Sequence, residues 1–107
     1  MDAALKAIVE PRRREILRLV GAEERSAGDI AAHFEVTRSA ISQHLKVLRE
    51  ADLVTERRDG TRRLYRARPE GLEDLRSFLD AFWTQRLGDL QREAETEQRR
   101  RDERTHR

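Results

Sequence analysis

The sequence contains no cysteine and only five aromatic residues: one tryptophan, one tyrosine and three phenylalanines. The absence of cysteine excludes disulfides, thiolate metal sites and cysteine nucleophiles together. Apolar residues never run together for the roughly 18 positions that a membrane-spanning helix needs, and the N-terminus has no apolar run of signal-peptide length. We therefore expect a cytoplasmic protein with no membrane span.

The low hydrophobic content limits the size of the core. Hydrophobic residues make up 36% of the 107 positions, whereas charged residues make up 41%. This composition predicts one modest domain with a thin core and a large charged surface. Chains of this size commonly gain buried surface by dimerisation.

The charge is unevenly distributed along the chain. The net charge is only +2, but residues 36–69 carry nine Lys or Arg against four Asp or Glu, a net charge of +5. Residues 1–35 and 70–107 have net charges of −1 and −2. Positive charge concentrated in one segment is expected of a surface that binds a polyanion.

The chain is organised around residues 37–52, TRSAISQHLKVLREAD. Ile41, Leu45 and Leu48 have the i, i+4, i+7 spacing of one buried stripe on a helix. The opposite face can bond to base edges and phosphate oxygens through Arg38, Ser39, Ser42, Gln43 and Lys46. Thr37 is a good N-cap residue, and the backbone N–H groups after it suit a phosphate. Taken alone, the pattern favours an ordinary amphipathic helix with a solvated polar face, and the sequence on either side shifts the interpretation towards DNA reading.

Three shorter helices are predicted before this segment. Residues 2–9 have a short apolar edge, and Pro11 is well placed to begin a second helix that ends near Gly21. The spacing S-x-x-D from Ser26 predicts the start of a third helix that runs to about Phe34. A short helix, a tight turn and a second helix with a polar outer face form the helix-turn-helix arrangement.

The arginine triplet 12–14 opens the second helix and could touch phosphate. A solvated helix start is favoured, because positive charge near a helix N-terminus does not stabilise the helix. In the same helix, Ile16, Leu17 and Val20 are expected to face the core.

After residue 52 the apolar residues no longer have helical spacing. Residues 53–58 and 62–68 are separated by Asp59-Gly60-Thr61, and Asp-Gly is a strong turn signal for a β-hairpin. We expect a two-stranded wing that is attached to the core by Leu53, Val54, Leu64 and Tyr65. The wing carries six arginines: Arg57, Arg58, Arg62, Arg63, Arg66 and Arg68. These favour contact with phosphate or the minor groove, although a charged edge hairpin can also serve only to prevent edge pairing.

Pro69 opens the last predicted helix, which carries a long apolar stripe: Leu72, Leu75, Phe78, Leu79, Phe82, Trp83, Leu87 and Leu90. The stripe is broader than one small core needs, so part of it is expected to pack on a second subunit together with the first helix. The predicted dimer interface consists of Leu5, Ile8, Phe78, Leu79, Phe82, Trp83 and Leu87. Residues 91–107 are mainly charged and are expected to form a frayed or disordered tail.

The order of these elements resembles the winged-helix repressors of the ArsR family. The resemblance covers residues 1 to about 90 and rests on ALKAIVEPRRREILRLV, SAISQHLKVLREADLV and RRDGTRRLYRA. The middle run is the most specific, since its serine, polar pair and leucine are followed by the L-x-x-x-x-L-V that enters the wing. The resemblance implies a mainly α fold with a small β-hairpin, in which residues 1–90 form a winged helix-turn-helix that dimerises through its terminal helices.

The same resemblance implies a homodimeric transcriptional regulator that binds a palindromic double-stranded DNA operator and usually represses. By similarity, the candidate base readers are Arg38, Ser39, Ser42, Gln43 and His44. Contacts with the DNA backbone are implied for Thr37, Lys46, Arg57, Arg58, Arg62 and Arg63.

The chain departs from the family at its metal sites. Many members sense metals through a Cys pair, or through Asp and His ligands on the last helix. This chain has no cysteine, and its three histidines, His33, His44 and His106, are scattered. We therefore predict no metal site and no cofactor.

Two other classes of function compete with DNA binding. An enzyme is not expected, because Ser42 and His44 face different directions on a helix and no paired-carboxylate site or Gly-rich phosphate loop is present. A winged-helix module that binds protein or RNA has the same fold and remains the alternative. A protein-binding module would not need the +5 segment.

Overall fold

The computed structural model describes residues 1–105. In that range the elements are α1 (Asp2–Ile8), α2 (Pro11–Ala22), β1 (Arg25–Ser26), α3 (Ala27–Ala31), α4 (Arg38–Glu50), β2 (Val54–Asp59), β3 (Arg62–Ala67) and α5 (Pro69–Thr105). The chain divides into two compact units, Met1–Leu75 and a second that begins at Arg76. The predicted helix-turn-helix, α3 and α4, and the predicted wing, β2 and β3, both lie in the first unit.

The core of the first unit is built around α4, which contacts α1, α2, α3 and β2. Its apolar stripe is fully buried, as the spacing predicted: Ile41, Leu45 and Leu48 are at most 1% exposed. Ile16 and Ile30 bring α2 and α3 onto this stripe and are also fully buried. Burying an aliphatic side chain of this size stabilises the fold by roughly 1.5–3 kcal/mol. The burial of this stripe leaves the opposite face of α4 in solvent.

The wing is an antiparallel hairpin whose register runs from Val54 opposite Ala67 to Asp59 opposite Arg62. Gly60 has a φ of 65°, a conformation that glycine adopts at little cost and that the tight turn requires. The four side chains expected to attach the wing are all buried: Leu53, Val54, Leu64 and Tyr65. The wing is therefore held by the core at its base, and its tip is exposed.

A third strand, which the sequence analysis missed, joins the wing to the helix-turn-helix. β1 pairs antiparallel with β3, with Arg25 opposite Tyr65 and Ser26 opposite Leu64. Ser26 also caps α3, since its Oγ accepts a hydrogen bond from the backbone N–H of Asp29 at 3.1 Å. One residue thus ends the strand and begins the helix.

Two predicted features of α2 are wrong. Gly21 does not end the helix, which continues to Ala22 and is closed at Glu23, whose N–H donates to the carbonyl of Leu19. Leu19 rather than Leu17 is buried, and Leu17 is half-buried. Ile16, Leu19 and Val20 have the i, i+3, i+4 spacing of one helix face, whereas Leu17 lies about 100° around the helix from Ile16.

In α1 the buried side chains are the small ones. Ala4 and Ala7 are buried, whereas Leu5 and Ile8 are half-buried. Short side chains allow the helix to approach its neighbours closely. The larger side chains of α1 therefore retain surface that the first unit does not cover.

α5 runs without a break from Pro69 to Thr105. It includes residues 91–105, for which the composition predicted a frayed or disordered tail, and residues 91–104 are exposed. The domain boundary at residue 90 stays a prediction. No helix among residues 1–105 is long and apolar enough to cross a membrane.

Candidate nucleic-acid interface

The N-terminus of α4 is fixed by a side-chain cap. Thr37 is extended, with φ −67° and ψ 152°, and its Oγ1 accepts a hydrogen bond from the backbone N–H of Ala40 at 3.1 Å. A cap of this kind contributes about 1 kcal/mol to helix stability. It also sets the direction in which the first turn of α4 faces solvent.

The structure brings five predicted contact residues to one exposed surface, here called the polar face of α4: Arg38, Ser39, Ser42, Gln43 and Lys46. At about 100° per residue, these positions cover an arc of roughly 140° on the helix. Lys46 lies 4.0 Å from a carboxylate oxygen of Glu50, and both side chains are more than half exposed. A charged pair so exposed is easily given up to another partner.

His44 does not share this face. It is two residues from Ser42 and therefore lies about 200° around the helix from it. Its Nδ1 is 3.4 Å from Nη1 of Arg13, and the side chain is half-buried. Burial lowers the pKa of His44, and the positive charge of Arg13 lowers it further, against an opposing effect of Glu10. The imidazole is therefore held in its neutral form at neutral pH.

Arg13 and Arg14 bind the end of α1 rather than standing free at the start of α2. Nε of Arg13 donates to the carbonyl of Ala7 at 2.6 Å, and Nη1 of Arg14 donates to the carbonyl of Ile8 at 2.7 Å. The last carbonyls of a helix lack partners within the helix, and arginine side chains can satisfy them. The expected solvated helix start is wrong for Arg13, which also contacts His44 of α4.

Several wing arginines are already paired with carboxylates. Arg57 binds Glu24 with two hydrogen bonds, Nε at 2.8 Å and Nη2 at 2.6 Å, and this pairing lowers the pKa of Glu24. Nη2 of Arg62 is 3.7 Å from Oδ2 of Asp29. Both contacts tie the wing to residues just before or within the helix-turn-helix.

Arg58 differs from these arginines, because among residues 1–105 it has no ion pair. It stands directly opposite Arg63 in the hairpin register. Like charges opposite each other in a sheet are destabilising. The tip of the wing therefore holds positive charge that an external anion would neutralise.

Between α4 and the wing lies a groove of about 690 Å³, here called the wing groove. It is lined by Ser26, Ala27, Gly28, Arg38, Ser42, Lys46, Arg49, Thr61, Arg62, Arg63 and Tyr65. Five of the eleven side chains are cationic and no lining residue is acidic. The groove is thus a surface suited to a phosphate backbone.

Glu56 contacts two of the arginines that line this groove. It binds Nη1 of Arg49, and its second oxygen is 3.4 Å from Nη1 of Arg63. Its side chain is 16% exposed. Burial raises the pKa of the Tyr65 phenol, and the charge of Glu56 and a hydrogen bond to it add to the rise. Sequence analysis did not predict these contacts.

The two described histidines, His33 and His44, contact different partners. Nδ1 of His33 lies 2.9 Å from the backbone oxygen of Asp29, and His44 faces Arg13. His106 lies outside the described residues. Residues 1–105 contain no cluster of three or more histidine, cysteine, aspartate or glutamate side chains that could hold a metal ion.

The second unit carries an exposed apolar face on α5. Its large side chains lie in solvent: Phe78, Phe82, Trp83, Leu87 and Leu90 are 42–59% exposed. Leu79 is half-buried. Phe82 and Trp83 pack edge to face, with ring centroids 6.1 Å apart and an interplanar angle of 76°. An exposed apolar surface of this kind is characteristic of an interaction site.

Comparison with known proteins gives consistent matches. A family model described as "Bacterial regulatory protein, arsR family" matches residues 10–56, which extend from the start of α2 into β2. The HTH-type transcriptional regulator Rv2034 of Mycobacterium tuberculosis is 44% identical over 86 residues, or 80% of each chain. The transcriptional repressor SdpR of Bacillus subtilis is 34% identical over 90 residues, which cover 84% of this chain and 100% of SdpR.

Solved structures agree with these sequence matches. A crystal structure described as a possible transcriptional regulator for arsenical resistance is 50% identical and superposes with a TM-score of 0.71. The match covers 75% of this chain and 83% of that chain.

Proposed function

Because the chain belongs to the ArsR family of bacterial regulatory proteins, we propose that it acts as a homodimeric repressor that binds a palindromic operator. The family consists of DNA-binding transcriptional regulators and not of enzymes, and this chain has the winged helix-turn-helix fold of its relatives. The observation that carries the proposal is the continuity of two surfaces. Arg38, Ser42 and Lys46 belong both to the polar face of α4 and to the lining of the wing groove.

The two surfaces divide the work of recognition. The polar face of α4 enters the major groove, where Arg38 can donate two hydrogen bonds to guanine and Gln43 can bond to adenine. Ser39 and Ser42 are short enough to reach either a base edge or a phosphate. Base reading by His44 stays a prediction, and its position beside Arg13 favours a contribution to the packing of α4 instead.

The backbone contacts come from α4 and from the wing. Thr37 and Lys46 contribute from α4, and the wing contributes Arg57, Arg58, Arg62 and Arg63. Each phosphate that is neutralised by an arginine or lysine releases counterions, so affinity falls with salt. The +5 charge of residues 36–69 supplies this sequence-independent part of the affinity.

A second copy of the chain is proposed to cover the apolar face of α5. The interface combines Leu5 and Ile8 of α1 with the α5 residues Phe78, Leu79, Phe82, Trp83 and Leu87. Two-fold symmetry then presents two copies of α4 to half-sites about 34 Å apart, one turn of DNA. A palindromic operator is the DNA counterpart of this symmetry.

Repression is supported by a relative that matches this chain along most of its length. SdpR, at 34% identity, is described as a transcriptional repressor. The relatives' descriptions also support DNA-binding regulation over the alternative of a module for protein or RNA.

The proposal is tested by selecting sequences from randomised duplex DNA with the purified protein. Binding is recorded as a function of salt, and the mass of the protein in solution is measured alongside. We expect enrichment of an inverted repeat by a protein of twice the chain mass. Absence of both enrichment and salt-sensitive binding would contradict the proposal and favour the protein-interaction alternative.

A further inference from the structure

Glu56 is an acidic residue beside a groove whose lining has five cationic side chains and no acidic one. Its side chain is 16% exposed, and it bonds to residues that line the wing groove. A carboxylate near this groove repels a phosphate backbone, which weakens DNA binding. Its contacts with two arginines indicate a role that offsets this repulsion.

Glu56 connects two elements of the interface that have no other charged link between them among the described residues. Arg49 comes from the last turn of α4, and Arg63 comes from β3 of the wing. One carboxylate oxygen binds Nη1 of Arg49, and the other lies 3.4 Å from Nη1 of Arg63. The carboxylate therefore fixes the position of one guanidinium relative to the other.

The arginines remain available for a further partner. Their side chains are 43% and 51% exposed, compared with 16% for Glu56. A guanidinium has five N–H donors, and each of these contacts is made through Nη1. The N–H groups on Nε and Nη2 of each arginine can therefore bind a phosphate while the carboxylate holds Nη1.

Glu56 also opposes a repulsion within the wing. Arg63 stands opposite Arg58, and Glu56 stands opposite Tyr65 two positions away along the same face. Diagonal neighbours on one face of a hairpin are within reach of long side chains. The ion pair with Glu56 offsets part of the repulsion between Arg63 and Arg58.

We propose that Glu56 is a positioning residue that joins Arg49 and Arg63 into one preorganised site for a single DNA phosphate. This inference rests on the proposed function, since it requires that the wing groove binds duplex DNA. Holding both guanidiniums in place before binding removes the entropic cost of ordering them in the complex. Charge-assisted hydrogen bonds from two arginines to one phosphate are also strong and directional.

The test replaces the carboxylate by its neutral isostere, Glu56→Gln, and measures binding to a fluorescent duplex that carries the enriched repeat. We expect the dissociation constant to rise about tenfold near 0.1 M salt. The slope of log affinity against log salt concentration should fall by about 0.9, the value for one phosphate contact. A purely structural role would lower the active fraction without changing this slope.

The matched control is Glu24→Gln, which also removes one carboxylate from a wing arginine. Glu24 holds Arg57, which does not line the wing groove. We expect its affinity to be unchanged or slightly higher, with the wild-type slope. If Glu56→Gln behaves in the same way, Glu56 acts only as a negative charge and the inference is overturned.

A second measurement covers the case in which Glu56→Gln does not fold. Arg49→Gln and Arg63→Gln are compared with the double variant in a double-mutant cycle. A shared phosphate site predicts that the double variant loses much less affinity than the product of the two single losses. Multiplicative losses would overturn the inference. Wild-type protein that shows no salt-sensitive binding to duplex DNA would instead overturn the proposed function itself.

Discussion

A methyl group at Gly71 would lie 2.1 Å from the carbonyl oxygen of Asp52. The first turn of α5 therefore passes against the backbone at the end of α4 at a distance that only glycine allows. Asp52 is itself constrained: it has a φ of 59°, and its N–H donates to the carbonyl of Arg49 at 3.0 Å. This crossing fixes the end of α4 relative to the start of α5.

Gly71→Ala should lower the free energy of unfolding by about 2 kcal/mol, because the clash is with backbone that cannot rotate away. The control is Gly21→Ala, inside α2, where an added methyl group meets nothing within 4 Å. That variant should gain roughly 0.5–1 kcal/mol from the better helix propensity of alanine. Urea unfolding measures both, and similar values for the two variants would contradict the close approach.

His44 should make stability depend on pH. Its pKa is lowered in the folded protein, first by burial and then by Arg13, so folding favours the neutral imidazole. The stabilisation is present above the unfolded pKa of about 6.5 and is lost as the pH falls through the lowered folded value. The free energy of unfolding, measured in urea, should fall less between about pH 7.5 and pH 5 for His44→Gln than for wild type.

An NMR titration of the His44 ring separates the two causes. Arg13→Gln removes the neighbouring cation and should raise the pKa of His44 towards its ordinary value. A wild-type pKa above 6.5 would show that the ring is not held neutral by its surroundings.

The wing arginines should differ in their contribution to DNA binding. Arg58 has no ion pair within residues 1–105, whereas Arg57 is held by two hydrogen bonds to Glu24. Arg58→Gln should weaken binding to all duplexes about equally and reduce the salt slope by about 0.9. Arg57→Gln should change the slope less. Titrations of operator and scrambled duplexes at several salt concentrations measure both slopes. A larger change in slope for Arg57→Gln than for Arg58→Gln would contradict this prediction.

Gln43 should affect sequence preference rather than overall affinity. It is exposed on the polar face of α4, and a glutamine that bonds to an adenine is worth about 1–3 kcal/mol of discrimination against the wrong base. When the selection is repeated with Gln43→Ala, the base preference at one position in each half-site should become weaker. Lys46→Gln is the control and should weaken all sequences about equally. Uniform loss for both variants would remove Gln43 from the base readers.

Trp83 should be required for the dimer. It is 58% exposed in the single chain, so Trp83→Glu should leave the fold of one subunit intact while burying a charge in the proposed interface. Sedimentation should show the mass of one chain for this variant. Ser77→Glu adds the same charge at an exposed position at least about 80° around the helix from each of the proposed α5 interface residues and should keep the mass of two. Equal masses for both variants would place the interface elsewhere.

The parts of the fold that the sequence predicted are those with a local physical signal. Thr37 caps α4 because threonine accepts hydrogen bonds from the helix N-terminus, and Asp59-Gly60 turns the wing because glycine permits the positive φ. The i, i+4, i+7 stripe of α4 predicted three of the most buried side chains. In each case the determining residues are neighbours in the sequence.

The missed features depend on partners that are distant in the sequence. A two-residue strand such as β1 has no period to detect, and it exists because β3 pairs with it. Gly21 was misread because glycine ends helices by adopting a positive φ, and here the helix is closed two residues later by Glu23. For the site, residue types marked the polar face of α4, but the pairing of Glu56 with Arg49 and Arg63 became visible only when α4 and the wing were folded together.

The contacts of Arg13 and Arg14 have a consequence for motion. α1 has only seven residues, too few for a helix that is stable by itself, and its last carbonyls are held by guanidiniums of α2. α1 therefore depends on these contacts for its stability, and weakening them is expected to speed the exchange of its amide protons through local opening. Since Arg13 also contacts His44, protonation of this imidazole on α4 is expected to change the amide exchange rates of α1, a helix outside the helix-turn-helix.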